Sequence, residues 1–493
     1  MKESCGVFGV VAPGRDVAPL TFDGLYALQH RGQESAGMAV SDGQSITVVK
    51  DMGLVTAVFD ERTVAGLPGS VAIGHTRYST AGRSEWRQAQ PLFRAVGPAG
   101  FALAHNGNLT NTAELAGRAG MLPGMATSDT DVLAELLAHE LEGRDLADDP
   151  SGVADSTGQP GAGPAWPALA LALQAVLPAV RGAYSLVLAD RQRVYAVRDP
   201  HGFRPLSLGR LGPPEEPAGW VVASETPALD IVGADVVRDV EPGELVVLDQ
   251  QGPRSLPLVP PGERSPSLCI FELVYFARPD AQLLGREVHG ARRRMGQRLA
   301  AAAPVAADLV IGVPESGVPA AEGYAVASGI PFGHGLVKNR YIGRTFITPG
   351  QQARAAGVRR KLNPLRESLA GKRVVVVDDS VVRGTTQRAV VAMLREAGAR
   401  EVHLRVSSPP LAWPCFYGID IPERDELLAA RLDLPGIAAH LGVDSLAYLS
   451  LEDLLAAIDV PGAGFCTACL TGRYPEPPPL EDPLPGATVG ARR

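Results

Sequence analysis

Val374-Val375-Val376-Val377-Asp378-Asp379-Ser380-Val381-Val382-Arg383-Gly384-Thr385-Thr386 decides how the second half of the chain is read. Four consecutive valines suit a strand covered on both faces, as in a parallel sheet. The polar loop after them falls at a strand's carboxyl end, where α/β sheets bind ligands. Asp378 and Asp379 can engage ribose hydroxyls or a divalent cation. The Arg383-Gly384-Thr385-Thr386 turn, before a helix predicted over 387–397, offers N–H and hydroxyl donors to a phosphate. A capped helix after a strand would explain one Asp and one Thr of this run, but not the whole. Residues 309–313 and 401–406 read as further strands and 287–302 as a helix, which makes this half an α/β domain.

The first half has a different texture. Residues 5–140 are short Val-, Ile- and Phe-rich runs broken by Gly, at 5–11, 45–49, 70–74 and 100–104. Helical patterns interleave at 19–29 and 129–139, the second capped by Ser128 or Asp129. A helical run over 166–180 and strands at 184–189, 194–197, 219–223 and 245–248 complete a layered α+β domain. Residues 143–167 are turn-rich and poor in large apolar side chains, which predicts an exposed, mobile insertion. The Pro-rich stretch 253–266 reads as a linker, and the tail after 475 as frayed.

With 493 residues, the chain has room for roughly two to three domains. Its formal charge of −8 argues against a surface that coats nucleic acid. No apolar run of membrane-spanning length appears, and the N-terminus has no signal-like apolar core. Five cysteines are too few for a disulfide-stapled scaffold, so a reducing cytoplasm is expected.

Cys5 lies directly before Gly6-Val7-Phe8-Gly9. Were residues 1–4 removed, Cys5 would carry a thiol and a free α-amino group, a nucleophile and a base in one residue. Taken alone, it reads equally as a small buried residue at a strand start. Its company strengthens the first reading. Arg77, in His75-Thr76-Arg77-Tyr78, can fork onto a carboxylate. Asn106 and Gly107, in His105-Asn106-Gly107-Asn108, can donate to an oxyanion through a side-chain amide and a backbone N–H. Asp129, in Ser128-Asp129-Thr130-Asp131, can bind an ammonium.

These segments, with Leu28-Gln29-His30-Arg31-Gly32-Gln33-Glu34-Ser35-Ala36-Gly37 and Gln90-Pro91, resemble the glutaminase domain of N-terminal-nucleophile amidotransferases. The resemblance implies an αββα four-layer sandwich and Cys5 as nucleophile. It implies an oxyanion hole from Asn106 and Gly107, with Arg77 on the glutamine α-carboxylate and Asp129 on its α-amino group. It also implies a cleaved propeptide at 1–4.

The Val374–Thr386 run resembles the signature of type I phosphoribosyltransferases. Pro314-Glu315-Ser316-Gly317 resembles their diphosphate loop, with Glu315 where Asp is expected. By resemblance Ser316, Asp378 and Asp379 surround magnesium and ribose. Residues 338–350, with Lys338 and Arg344, look like the loop that closes over phosphoribosyl diphosphate, although a solvated basic loop is the plainer alternative.

Cys269, Cys415, Cys466 and Cys469 remain. The C-x-x-C spacing allows zinc, an iron–sulfur cluster, a redox pair or simply buried thiols. Residues 267–280, 414–420, 444–450 and 464–469 resemble the iron–sulfur class of amidophosphoribosyltransferases, which implies a structural 4Fe-4S cluster on these four residues.

The family resemblance therefore implies a glycosyltransferase that makes 5-phosphoribosylamine from glutamine, phosphoribosyl diphosphate and water at the start of purine biosynthesis. The expected division is a propeptide at 1–4, a type 2 glutamine amidotransferase domain at 5–250, a linker at 251–267, a phosphoribosyltransferase domain at 268–475 and a flexible tail at 476–493. Purine-nucleotide feedback inhibition and a homotetramer are further family expectations, with no nucleic-acid or membrane partner. Two rivals are another Cys-first amidotransferase with a sugar-isomerase half, and a non-enzymatic regulator that senses phosphoribosyl diphosphate. The Asp378–Thr386 run disfavours the first. The intact glutaminase motifs disfavour the second.

Overall fold

A computed structural model describes residues 5–78, 85–97, 99–122, 124–142, 166–339, 358–421, 423–479 and 488–489. Residues 1–4, all but two residues of the 143–167 insertion, and Arg344 with most of its loop lie outside the described residues. Among the described residues, no helix is long and apolar enough to cross a membrane.

The first half stacks two antiparallel sheets between two helical layers, the expected αββα sandwich. One sheet runs in the order Ala234–Asp239, Ser207–Leu211, Gly219–Ala223, Gly6–Val11, Val71–Arg77, Ser35–Ser41, Ile46–Met52. The other runs Gly252–Pro257, Glu244–Asp249, Val194–Arg198, Gly182–Ala189, Ala99–Leu109, Leu92–Val96. Strand alternation distributes the side chains. Val7 and Val11 pack between the sheets, while Phe8 and Val10 pack under the helix Ala18–Ala27.

Two expectations need correction. Residues 245–248 are not the last strand of this half, because Gly252–Pro257 pairs antiparallel with Glu244–Asp249. Pro253 and Pro257 suggested a linker, but an edge strand tolerates proline, since one side of it has no ladder to donate to. The tail is also tied down at its start. Glu476 accepts a hydrogen bond from the Gly182 N–H at 2.7 Å, and Arg473–Tyr474 pairs with Thr488–Val489.

The second half is built on a parallel sheet ordered Leu309–Gly312, Arg373–Asp378, Glu401–Val406, Ser445–Tyr448. Val375 and Val377 pack toward the helices Val288–Ala302 and Val318–Ser328, and Val374 and Val376 toward Thr385–Glu396. This two-sided burial is why the valine run shows no alternation. The two helices on one face touch through glycines. A Cβ on Gly296 would stand 1.8 Å from the Ala320 carbonyl oxygen, and one on Gly323 would stand 1.9 Å from that of Arg293.

Alanine is the better helix former by about 1 kcal/mol. At Gly323 the backbone clash outweighs that gain. Gly323→Ala should destabilise the protein by about 1–3 kcal/mol in chemical denaturation, the cost of forcing a packed core apart.

Candidate active sites

Cys5 stands at the mouth of the first sheet, where Gly6–Val11 pairs with Val71–Arg77. Its Sγ lies 3.4 Å from both the N–H and the carbonyl oxygen of Tyr78. Burial pushes the thiol up from its ordinary value, while the Tyr78 N–H and the Arg77 charge pull it down. A neutral thiol at rest needs a base before it can attack. Cys5 opens on a cavity of about 300 Å³ lined also by Arg77, Gln88, Gly107, Asn108 and Asp129.

Arg77 ends its strand and donates to Glu34 at 3.3 Å and to Gln88 at 2.6 Å. Asp129 opens the helix Asp129–Leu141 beneath the cap that Ser128 makes on the Asp131 N–H. Its oxygens accept from the N–H groups of Leu109 at 3.0 Å and Thr130 at 2.7 Å. Arg77 and Asp129 thus place opposite charges on one cavity, a layout that suits a zwitterionic amino acid. Gly107 has a φ of 155°, and a Cβ there would meet the Ala183 carbonyl oxygen at 2.0 Å. Only glycine fits at this point of the strand Ala99–Leu109. Asn106, next to it in the same strand, is fully buried.

His105 looks like a candidate base but is held in a buried network. Its N–H donates to Gln90 at 2.7 Å, and its ring nitrogens face Thr130 and Ala183. His75 lies deeper, and burial lowers its pKa to about 3, which keeps it neutral.

The second site sits at the carboxyl end of the parallel sheet. Asp378 and Asp379 are only 4% and 6% exposed. Burial and then the Asp379 charge hold the Asp378 carboxyl well above the usual range. Asp379 accepts from Ser316 at 2.6 Å and Ser380 at 2.5 Å, and Asp378 accepts from Gln387 at 3.0 Å. Gly384, at φ 72°, turns the chain into the helix Thr385–Glu396, whose first N–H groups carry no side-chain cap. Thr385 and Thr386 form its first turn, and Arg383 pairs with Glu426 at 2.8 Å. Gly317 precedes Val318–Ser328, and Lys338 joins Glu315 at 3.1 Å. Arg344 lies outside the described residues.

The four remaining cysteines come together where the halves meet. Cys269 and Cys466 are paired neighbours in a parallel bridge of Leu268–Cys269 with Phe465–Cys466. The Cys415 sulfur accepts from the Tyr417 N–H at 3.4 Å. Burial raises all four thiols, and Cys469 is raised further by the charges of the other three. Among the described residues, no group of three or more His, Cys, Asp or Glu is close enough to grip one ion. The segment after Cys415 reaches the first site. Asn108 donates to the Phe416 carbonyl at 2.9 Å, and a Cβ on Gly418 would touch the Gly107 backbone at 2.9 Å.

Sequence reasoning gave no role to Gln88, Gln90, Thr127 or Thr130, all of which line the first cavity. Nor did it give one to Arg31, Arg204, Glu225 or Glu272, whose charged side chains meet in the interior.

Residues 285–408 match the family model described as a phosphoribosyl transferase domain. The chain is 54% identical to the amidophosphoribosyltransferase of Mycobacterium tuberculosis (strain H37Rv), covering 98% of this chain and 88% of that one. It is 55% identical to the enzyme of the same name from Mycobacterium leprae, covering 97% and 83%. It superposes on the solved glutamine phosphoribosylpyrophosphate amidotransferase of B. subtilis complexed with ADP and GMP. The TM-score is 0.83 at 42% identity, over 98% of this chain and 99% of that one.

An aspartate raised in this way binds its proton more tightly folded than unfolded. Its contribution favours the fold below the unfolded value, near 3.9, and is lost as pH rises through the folded value. Asp378→Asn removes that loss. Without divalent cations, the variant should melt several degrees above the parent at about pH 8, with the gap closing toward about pH 4 in calorimetry.

Proposed function

The chain belongs to the amidophosphoribosyltransferase family, and from that premise we propose that Cys5 splits glutamine and that the ammonia crosses to a sugar held at Asp378–Thr386. The overall reaction takes glutamine, phosphoribosyl diphosphate and water to 5-phosphoribosylamine, glutamate and diphosphate, a glycosyltransfer in purine biosynthesis. The sensing regulator is not favoured, because its reading carries no transferase chemistry.

The Cys5 sulfur attacks the amide carbon while its proton passes to the α-amino group, freed once residues 1–4 are gone. Asn106 and Gly107 stabilise the tetrahedral anion. Collapse breaks the C–N bond, and the leaving nitrogen departs as ammonia with the proton. Water then hydrolyses the thioester to glutamate. At the second site ammonia attacks the anomeric carbon as its bond to diphosphate breaks. Lys338, Arg344, Arg383 and the N–H groups near Glu315, Gly317, Gly384, Thr385 and Thr386 hold the phosphates.

The observation that carries this reading is the approach of the two sites to each other. The buried turn Glu272–Phe276 brings Tyr275 within electrostatic range of Asp378 and Asp379 on one side and of Tyr78, next to the Cys5 sulfur, on the other. A dry path there would keep ammonia unprotonated and nucleophilic.

Ser316, Asp378 and Asp379 would hold magnesium, which supplies positive charge to the departing diphosphate. Two crowded, buried carboxylates are a donor set that such a cation relieves. Cys269, Cys415, Cys466 and Cys469 would hold a 4Fe-4S cluster as a structural pin. Thiolates on one zinc sit about 2.3 Å from it. A cluster takes one thiolate per iron and suits four neighbouring cysteines that do not crowd onto a point. Purine nucleotides as feedback inhibitors, a homotetramer and a cytoplasmic setting complete the proposal.

Cys5→Ser should cut glutamine-supported phosphoribosylamine formation by at least about 100-fold. The ammonia-supported rate should stay within about 3-fold of the parent, measured by coupled assay with each nitrogen donor. Equal loss with both donors would refute two separable sites. Anaerobically purified protein should be brown and lack residues 1–4 by intact mass, and Cys466→Ser should be colourless. A colourless, zinc-loaded parent would refute the cluster.

A further inference from the structure

Arg77 is positioned by a strap that crosses the mouth of the first cavity, and the strap is Trp86–Gln88 continued through Ala89 and Gln90. It is fixed at three points. The Lys50 ammonium donates to the Ala89 carbonyl at 2.6 Å and lies 5.3 Å from the Trp86 ring centroid. The Trp86 indole N–H returns a hydrogen bond to the Lys50 carbonyl at 3.2 Å. Gln90, 6% exposed, accepts from the His105 N–H at 2.7 Å and donates to Thr130 at 3.1 Å.

The strap sets the Gln88 amide between two walls. Its oxygen accepts from Arg77 at 2.6 Å, and its nitrogen donates to the Thr127 carbonyl at 2.9 Å. Thr127 precedes the Ser128 cap and Asp129, the acid of the same cavity. One neutral side chain therefore ties the cationic wall to the anionic wall. The neutrality matters. Arg77 already faces one carboxylate, Glu34 at 3.3 Å. An amide orients the guanidinium without cancelling more of its charge, so an incoming carboxylate still meets a cation in a site screened from water.

We propose that Gln88 is a positioning and specificity-determining residue of the glutaminase site. Held by Lys50 and Trp86, it aims Arg77 at the substrate's α-carboxylate and so selects free glutamine over γ-amides that lack that charge. The inference rests on the glutaminase reading above and deepens it.

The test uses the full-length protein and two substrates, glutamine and its analogue with a carboxamide in place of the α-carboxylate. Glutamate, or its α-amide, is measured as the released product. Gln88→Leu should raise the glutamine KM about 10-fold with kcat changed less than about 3-fold, and should leave the analogue's kcat/KM within about 2-fold. The preference for glutamine then falls about 10-fold, or about 1.4 kcal/mol. Lys50→Met should reproduce the loss in part, and Lys50→Arg, which keeps the cation, should restore it. A variant that loses activity on both substrates equally, or keeps its preference, overturns the inference. If Gln88→Leu fails to fold by its thermal midpoint, the Lys50 pair decides the matter. A parent that releases no glutamate would fault the glutaminase reading itself, whereas a working parent with unaltered variants faults only the role of Gln88.

Discussion

Arg31, Glu225, Glu272 and Arg204 meet, almost wholly removed from solvent, where the two halves of the chain touch. Arg31 forks onto Glu272 at 2.8 and 3.0 Å and also contacts Glu225. Arg204 reaches Glu272 at 3.3 Å and the Tyr417 carbonyl at 2.6 Å. Two guanidinium groups and two carboxylates balance in charge. Burial opposes ionisation of Glu225, yet His30 and Arg31 hold it well below the usual range. Such a group adds little net stability over a packed apolar core. Removing one member strands a buried charge, at about 3–5 kcal/mol. Its effect is to permit one relative placement of the halves and to penalise others.

That placement has a chemical consequence, because Arg31 Nε also donates to the Cys5 carbonyl at 3.0 Å. Cys5 is thus held by a side chain whose other donors are committed to Glu225 and to Glu272, which sits between the core residues Phe271 and Leu273. Arg204 performs the matching task on the other side, gripping the loop that follows Cys415. Phe203, Tyr417, Cys466 and Tyr474 close a small core there, with the Phe203 and Tyr417 rings stacked at 4.3 Å. A cluster bound by the four cysteines would tighten a contact that already bears on Gly107 through Gly418.

How much of this the sequence discloses depends on how local each feature is. The Val374–Thr386 run holds strand, polar loop and helix start within thirteen residues, so its local structure was legible. Arg77, Gly107 and Asp129 stand in short motifs, and the fold brings them to one cavity. Gln88 was not legible, since only the fold sets it on Arg77, 11 residues away, and on Thr127, 39 away. Arg31 and Glu272 stand 241 residues apart, and nothing near either marks the other as its partner. The helix Val318–Ser328 hides for another reason. Pro319, Ala320, Ala321, Gly323 and Tyr324 are all buried, so no polar face gives it a period. Gly252–Pro257 hides because proline marks linkers and edge strands alike.

The two sites handle charge in opposite ways. In the first, Arg77 and Asp129 are each engaged by protein donors or acceptors, and one neutral amide joins Arg77 to the Thr127 carbonyl. In the second, Asp378 sits at the end of a strand with both faces covered, beside a second carboxylate, with Gln387 and the Asp379 N–H as its donors among the described residues. That arrangement costs folding free energy whenever Asp378 is ionised, and protonation relieves it. The valine strand explains why the cost can be borne at that point. Its burial on both faces is set by the helices and does not depend on the loop, so the packing of the sheet can carry a loss of stability at Asp378.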